Sequence, residues 1–157
     1  MKVLIVTESC FGNTSAIAEA IADGLAANGA TVDRVDASQT PTLDGVDLLV
    51  VGAPTHAMGL PKQSTRLQAQ AQGGRPATPG VAEWLATLPP QRERRAAVFS
   101  TVTGGFFSGS ASKGIAQQLR RRSTSVVART DFRVGGVSGP LADGETERAR
   151  AWGASLV

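Results

Sequence analysis

Thr7-Glu8-Ser9-Cys10-Phe11-Gly12-Asn13-Thr14 sets hydroxyls, an amide and a glycine between an apolar run and an amphipathic stretch. Upstream, Val3-Leu4-Ile5-Val6 is continuous in the way a strand buried on both faces reads; downstream, Ile17, Ile21 and Leu25 recur at helical spacing. The octet is therefore a loop that opens onto a helix N-terminus. There the first backbone N–H groups have no partners, and the helix dipole favours an anion. Ser9 and Thr14 add hydroxyl donors, Asn13 adds an amide, and Gly12 lets the backbone approach closely. Cys10 enters through its backbone N–H, and its place near a helix start favours the thiolate.

The same residues exclude other phosphate chemistries. A P-loop needs Lys followed by Ser or Thr after its glycines, and a dinucleotide fingerprint needs three spaced glycines where only Gly12 stands. A low-molecular-weight tyrosine phosphatase would need an arginine six residues after the cysteine, and position 16 is Ala16.

Two further runs end in comparable loops. Val46 to Val51 leads into Gly52-Ala53-Pro54-Thr55-His56-Ala57-Met58-Gly59, and Ala96 to Ser100 leads into Thr101-Val102-Thr103-Gly104-Gly105-Phe106-Phe107. Three such loops in this order, each after a strand, resemble the three flavin loops of the flavodoxin-like family, over nearly the whole chain. The resemblance implies FMN as cofactor, its phosphate held by Ser9, Cys10, Phe11, Gly12, Asn13 and Thr14. The ring would lie between Pro54, Thr55, His56, Ala57, Met58 and Gly59 on one side and Thr101, Val102, Thr103, Gly104, Gly105 and Phe106 on the other. Met58, Phe106 and Phe107 would supply apolar walls. The carbonyl of Ala57 or Gly59 would face flavin N5, and His56, the sole histidine, would touch the ring. No catalytic residue and no metal ligand set is identified.

The remaining elements alternate. Thr31–Val35 is a β-branched strand reached through Asn28-Gly29, Val81–Leu88 a helix closed by Pro89-Pro90, and residues 112–121 a helix on the stripe of Ile115 and Leu119. Ser125–Phe132 reads as the last strand. Asp143 starts a final helix with Glu145 and Glu147 in its first turn and Ala149, Trp152 and Leu156 on one face; Trp84 and Trp152 are expected in the core. The expected architecture is α/β: one three-layer domain over residues 1–157, a five-stranded parallel sheet in order 2-1-3-4-5 with helices on both faces, and its crevice at the switch point between strands 1 and 3. Residues 57–80, rich in Gln, Gly and Pro, are either a lid or an insertion, with Ser64 as the expected cap of a short helix.

The chain has 157 residues, 41% hydrophobic, enough for a sizeable core. It has one cysteine, no signal-like start and no apolar stretch near the ~20 residues of a membrane span, which leads to the expectation of a cytoplasmic protein. The net charge is +3. Arg92, Arg94, Arg95 and Arg120-Arg121-Arg122 fall at the sheet edge opposite the loops, where they read as a solvated rim, and with 4% aromatics, stacking platforms for nucleic acid are scarce. Residues 101–109 carry no Asp or Glu. That departs from acidic flavodoxins and implies a less negative second flavin potential, to be measured by spectroelectrochemical titration. The functional reading is an FMN redox protein exchanging electrons with a redox partner protein or a small-molecule acceptor. Carrier and small oxidoreductase, of the quinone- or nitroreductase sort, both remain open, as does oligomeric state. The alternative is a binding or regulatory module of the same fold that holds another phosphate ligand or none.

Overall fold

Residues 3–6 form the centre of β1 (Lys2–Thr7) in the computed structural model, which describes residues 1–105 and 109–157. Successive side chains on a strand face opposite ways. Val3 and Ile5 accordingly enter one core, with Leu48 and Val50, while Leu4 and Val6 enter the other, with Leu49 and Val51. The remaining strands are β2 (Thr31–Asp36), β3 (Leu48–Pro54), β4 (Arg95–Val102) and β5 (Ser125–Arg133). All pair in parallel, in the order β2-β1-β3-β4-β5. The expected order is observed.

Helices α1 (Asn13–Ala27) and α5 (Glu145–Ala154) cover one face, with Ile17, Ile21, Leu25 and Ala149 buried. They approach so closely that a Cβ on Gly24 would fall 2.0 Å from the Arg150 carbonyl oxygen, and one on Gly153 would fall 2.3 Å from that of Ile21. Phe99, Phe132 and Trp152 meet edge to face beneath them, with centroids 6.1–6.4 Å apart. On the other face lie α3 (Val81–Thr87) and α4 (Ala111–Arg121), with Trp84, Leu85, Ile115 and Leu119 buried. Trp84 satisfies its indole N–H on the Pro41 carbonyl at 3.0 Å. A short helix, α2 (Gln63–Ala71), lies inside the 57–80 segment. Among the described residues, no helix is long and apolar enough to cross a membrane.

Several local expectations are corrected. The third strand begins two residues later than expected, since Val46 is in the turn before it, and extends through Pro54. Lys62, not Ser64, occupies the cap position of α2, because Thr65 supplies the hydroxyl that accepts the Lys62 N–H at 2.9 Å. Gly144 in a left-handed conformation, not Asp143, precedes α5. The arginine edge is not simply solvated. Arg94 donates to the carbonyls of Val46 and Leu43, and Arg122 to those of Leu88 and Gln118. Arg94, just before β4, holds the loop ahead of β3, and Arg122 ties the end of α4 to the end of α3.

Candidate functional site

Because all strands run the same way, the loops after β1, β3 and β4 emerge at one edge of the sheet. Gly12, at φ +92°, turns the first of these into α1. The Ser9 hydroxyl oxygen accepts the Gly12 N–H at 3.1 Å and lies 3.4 Å from the Ser15 nitrogen. It thus takes up donors that the helix start would otherwise leave free. Thr14 is buried, and its hydroxyl meets that of Thr101 at 2.9 Å, so β4 and α1 are joined at the floor of the crevice.

One pocket gathers Ser9, Cys10, Phe11, Asn13 and Thr14 from the first loop, Pro54, Thr55 and His56 from the second, and Thr101 and Thr103 from the third. Of the expected residues, Gly12 lies outside it, at an opening beyond the first loop with Arg75; Ala57, Met58 and Gly59 line a neighbouring hollow with Lys62; Val102, Gly104 and Gly105 line another with Arg133. Phe106 and Phe107 lie outside the described residues. Met58 is 61% exposed beside the crevice. Val134 and Val137, from the stretch after β5, also line the central pocket. Gly139 in that stretch sits against Asn13: a Cβ there would lie 2.7 Å from the Asn13 amide oxygen.

The second loop turns tightly. His56 and Gly59 exchange both backbone hydrogen bonds, at 2.8 and 2.9 Å, around Ala57 and Met58, whose φ values are +46° and +71°. That is the pattern of a type I′ turn, which ordinarily takes Asn-Gly; two side-chain-bearing residues hold it at a cost of roughly 1–2 kcal/mol each. Gly59's carbonyl is engaged by His56, which leaves that of Ala57 for any ligand.

His56 Nδ1 lies 3.1 Å from the Thr65 hydroxyl, which also lies 3.0 Å from the Lys62 carbonyl, and Nε2 lies 3.9 Å from the Cys10 sulfur. With the Thr65 proton on the Lys62 carbonyl, Nδ1 carries the ring proton and Nε2 the lone pair. Burial, with Arg66 adding to it, holds the His56 pKa below its ordinary 6.5. The Cys10 thiol is pushed up to about 11, by burial first and Glu8 second. The thiolate favoured by position alone is thus overruled by a buried, carboxylate-flanked site, and Cys10 is a neutral donor to His56.

Glu8 and Arg66 are functional neighbours that the sequence did not signal. Glu8 is 2% exposed inside the first loop and Arg66 is 3% exposed on α2. Arg66 Nε meets Glu8 Oε1 at 2.5 Å, Nη1 meets Glu83 Oε1 at 2.6 Å, and Glu8 Oε2 also accepts the Val81 N–H at 3.0 Å. The segment 57–80 is thereby tied to the first loop. Phe11 completes the contact by packing on Gly74, where a Cβ would come within 3.0 Å of its ring.

Among the described residues, the central pocket is lined by hydroxyls, an amide, an imidazole and apolar groups, with neither a carboxylate nor a cationic side chain. It sits at a helix start, at the edge where the strand order reverses. That donor set suits a ligand with an anionic group and a flat, partly apolar body.

Comparison with known proteins points the same way. The family model described as flavodoxin matches residues 5–152. Similar solved structures include oxidised flavodoxin 1 from Bacillus cereus, 19% identical over 99% of this chain and 97% of that one, with a TM-score of 0.73. A flavodoxin from the domain Archaea is 23% identical over 99% and 96%, at 0.67. The two-electron reduced flavodoxin of Megasphaera elsdenii is 21% identical over 98% of each chain, at 0.64. No curated protein sequence matches.

Proposed function

The chain belongs to the flavodoxin family, whose members bind FMN, and from that premise we propose that it carries electrons to and from a partner protein with FMN held in the crevice described above. The observation that carries this reading is the pocket at the α1 start, free of charged side chains among the described residues and lined by hydroxyl and amide donors. A phosphate dianion fits there without a lysine, because the N–H groups of residues 10–14 and the helix dipole supply the attraction.

Bound FMN would supply a centre that accepts two electrons one at a time. The chain's residues bind and orient it. Ser9 would give up its intraloop hydrogen bonds to hold the phosphate, and Cys10, Phe11, Gly12, Asn13 and Thr14 would offer it their amides. Pro54, Thr55, His56, Ala57, Met58 and Gly59 flank the ring on one side, with the Ala57 carbonyl free to accept from it. Thr101, Val102, Thr103, Gly104 and Gly105 form the opposite side. Neutral His56 stands at the crevice with Nε2 toward Cys10, while Phe11, Val134 and Val137 add apolar surface to the pocket.

Purified protein is expected to be yellow, to release FMN on denaturation and to bind it again in stoichiometric amount. A colourless preparation that ignores added FMN would reject the reading in favour of a module for another phosphate ligand. Steady-state turnover of quinones or nitroaromatics with a nicotinamide donor would replace the carrier by an oxidoreductase. The charge around the crevice supports a less negative second potential than an acidic flavodoxin has, read by spectroelectrochemistry.

A further inference from the structure

The rim of the crevice carries a charge pattern that FMN binding does not require. Apart from Asp143 and Glu147, exposed at the start of α5, its carboxylates are engaged within the fold. Glu8 and Glu83 share Arg66; Asp131 accepts three serine hydroxyls and lies 3.6 Å from Arg129; Glu145 pairs with Arg148; half-buried Asp36 accepts the Ser38 N–H. The cations are disposed differently. Lys62 borders the second loop, Arg75 the outer side of the first, and Arg133 the hollow beside Gly104 and Gly105. Lys113 lies in the first turn of α4, next to Gly114, whose Cα faces Leu60 of the second loop. All of these are exposed, and among the described residues Lys62, Arg75 and Lys113 have no ion-pair partner. Between them stand the exposed apolar side chains of Met58 and Val137, at 61% and 62%.

An electron crosses protein only over short distances, so a partner must dock where the cofactor is nearest the surface. That surface is the loop rim. Charge complementarity there selects partners and accelerates encounter. We propose that this rim docks a redox protein whose own centre is ringed by carboxylates, with Met58 and Val137 as the apolar contact and Lys62, Lys113 and Arg133 as the steering charges. The proposal rests on the FMN reading above, and its polarity is opposite to that of an acidic flavodoxin. The exchange transfers one electron and no atoms: a reduced acidic iron–sulfur protein loses one electron and the bound flavin gains it.

The test uses a plant-type acidic [2Fe–2S] ferredoxin as probe. After FMN loading is verified by absorbance, photoreduced ferredoxin is mixed with the protein in a stopped-flow instrument at low and high salt. The rate is expected to fall with salt, and Lys62→Glu with Lys113→Glu is expected to slow it about tenfold at low ionic strength. Reduction by a neutral deazaflavin radical should be the same in both proteins, which shows the flavin site intact. A ferredoxin rate that ignores the reversals, or a faster reaction of the wild type with basic cytochrome c than the double variant achieves, would overturn the proposal. Retention on duplex DNA that the double variant loses, at an unchanged ferredoxin rate, would overturn it in favour of a nucleic acid. Should the protein take up no FMN, the function reading fails separately. The docking surface is then decided by calorimetric titration of the flavin-free protein with oxidised ferredoxin, where heat that vanishes in the double variant supports it and no heat rejects it.

Discussion

Two carboxylates stand behind the crevice, and the chain holds them by opposite means. Glu8, under the first loop, meets a guanidinium at 2.5 and 3.2 Å and a backbone N–H at 3.0 Å. Asp131, under the third, has one oxygen that accepts the hydroxyls of Ser100, Ser110 and Ser112 at 2.6, 2.7 and 2.6 Å, with Arg129 more distant. The first arrangement sets charge against charge, two carboxylates on one guanidinium. Burial works against the Arg66 cation, but its bonds to Glu83 and Glu8 outweigh that, and its pKa rises. The second arrangement keeps charge. Burial works against the Asp131 anion, the three hydroxyl dipoles outweigh it, and its pKa stays below the ordinary 3.8. An ion pair makes an anchor that holds or fails as a unit, whereas a carboxylate solvated by hydroxyls can be weakened one donor at a time and titrated.

The largest expected effect breaks the first anchor. Arg66→Met leaves Glu8 charged and buried without its partner, which costs about 3–5 kcal/mol, against a near-neutral result when Glu8→Leu is added. Urea denaturation of the flavin-free proteins checks both. A single variant as stable as the wild type would show that Glu8 has another partner.

The second anchor should yield in smaller steps. Ser112→Ala removes one charge-assisted bond, worth about 1.5–3 kcal/mol, and Ser110→Ala does the same at the far end of the third loop. Asp131 also gives this anchor a pH dependence. Its folded pKa is depressed, so its stabilisation is full above the unfolded value of about 3.9 and is lost as pH falls through the folded one. Asp131→Asn removes that dependence. The stability gap between wild type and variant should therefore close in acid, below about pH 4, and unfolding free energies measured from pH 7 to 2 that stay parallel would contradict the assignment.

Between the anchored loops, the second is bonded to β4, α4 and α2 through Thr55 and His56, and its turn at Ala57 and Met58 is the place to relieve strain. Met58 is exposed and held at φ +71°. Met58→Gly should raise stability by less than about 1 kcal/mol, since the strain removed slightly exceeds the chain entropy glycine adds. Thermal melting resolves the sign.

What could be read from the chain follows the range of the forces involved. Val3–Val6 and Ala96–Ser100 are legible because strands buried on both faces are almost continuously apolar, and the helical stripes are legible because 3.6-residue periodicity is local. The three loops are legible by position after each strand. Glu8 is not, because its partner lies fifty-eight positions away and no local pattern marks it. Val137 lies among glycines with no periodicity to place it, and it comes to the pocket in the same stretch whose Gly139 sits against Asn13. Cys10 is misjudged for the same reason: the helix start is visible in the sequence, but the burial that reverses its effect is not. Ser64 looks like a cap, yet Thr65 stands at the third helical position, from which its hydroxyl reaches back to Lys62.

The smallest effect links the first anchor to the second loop. Arg66 depresses the His56 pKa, though less than burial does. In the Glu8→Leu, Arg66→Met double variant the imidazole loses the nearby cation and keeps its burial. Its pKa should therefore rise and still remain below 6.5, and in both proteins nitrogen NMR should find the neutral ring protonated at Nδ1, toward Thr65. The sign for stability follows. A histidine whose folded pKa is depressed favours the fold while neutral, so its contribution is present above the unfolded value near 6.5 and is lost as pH falls through the folded one. The double variant should lose less of it over that interval than the wild type. An unchanged His56 titration would mean that the two loops are electrostatically independent, and that the buried ion pair is felt only by the loop it holds.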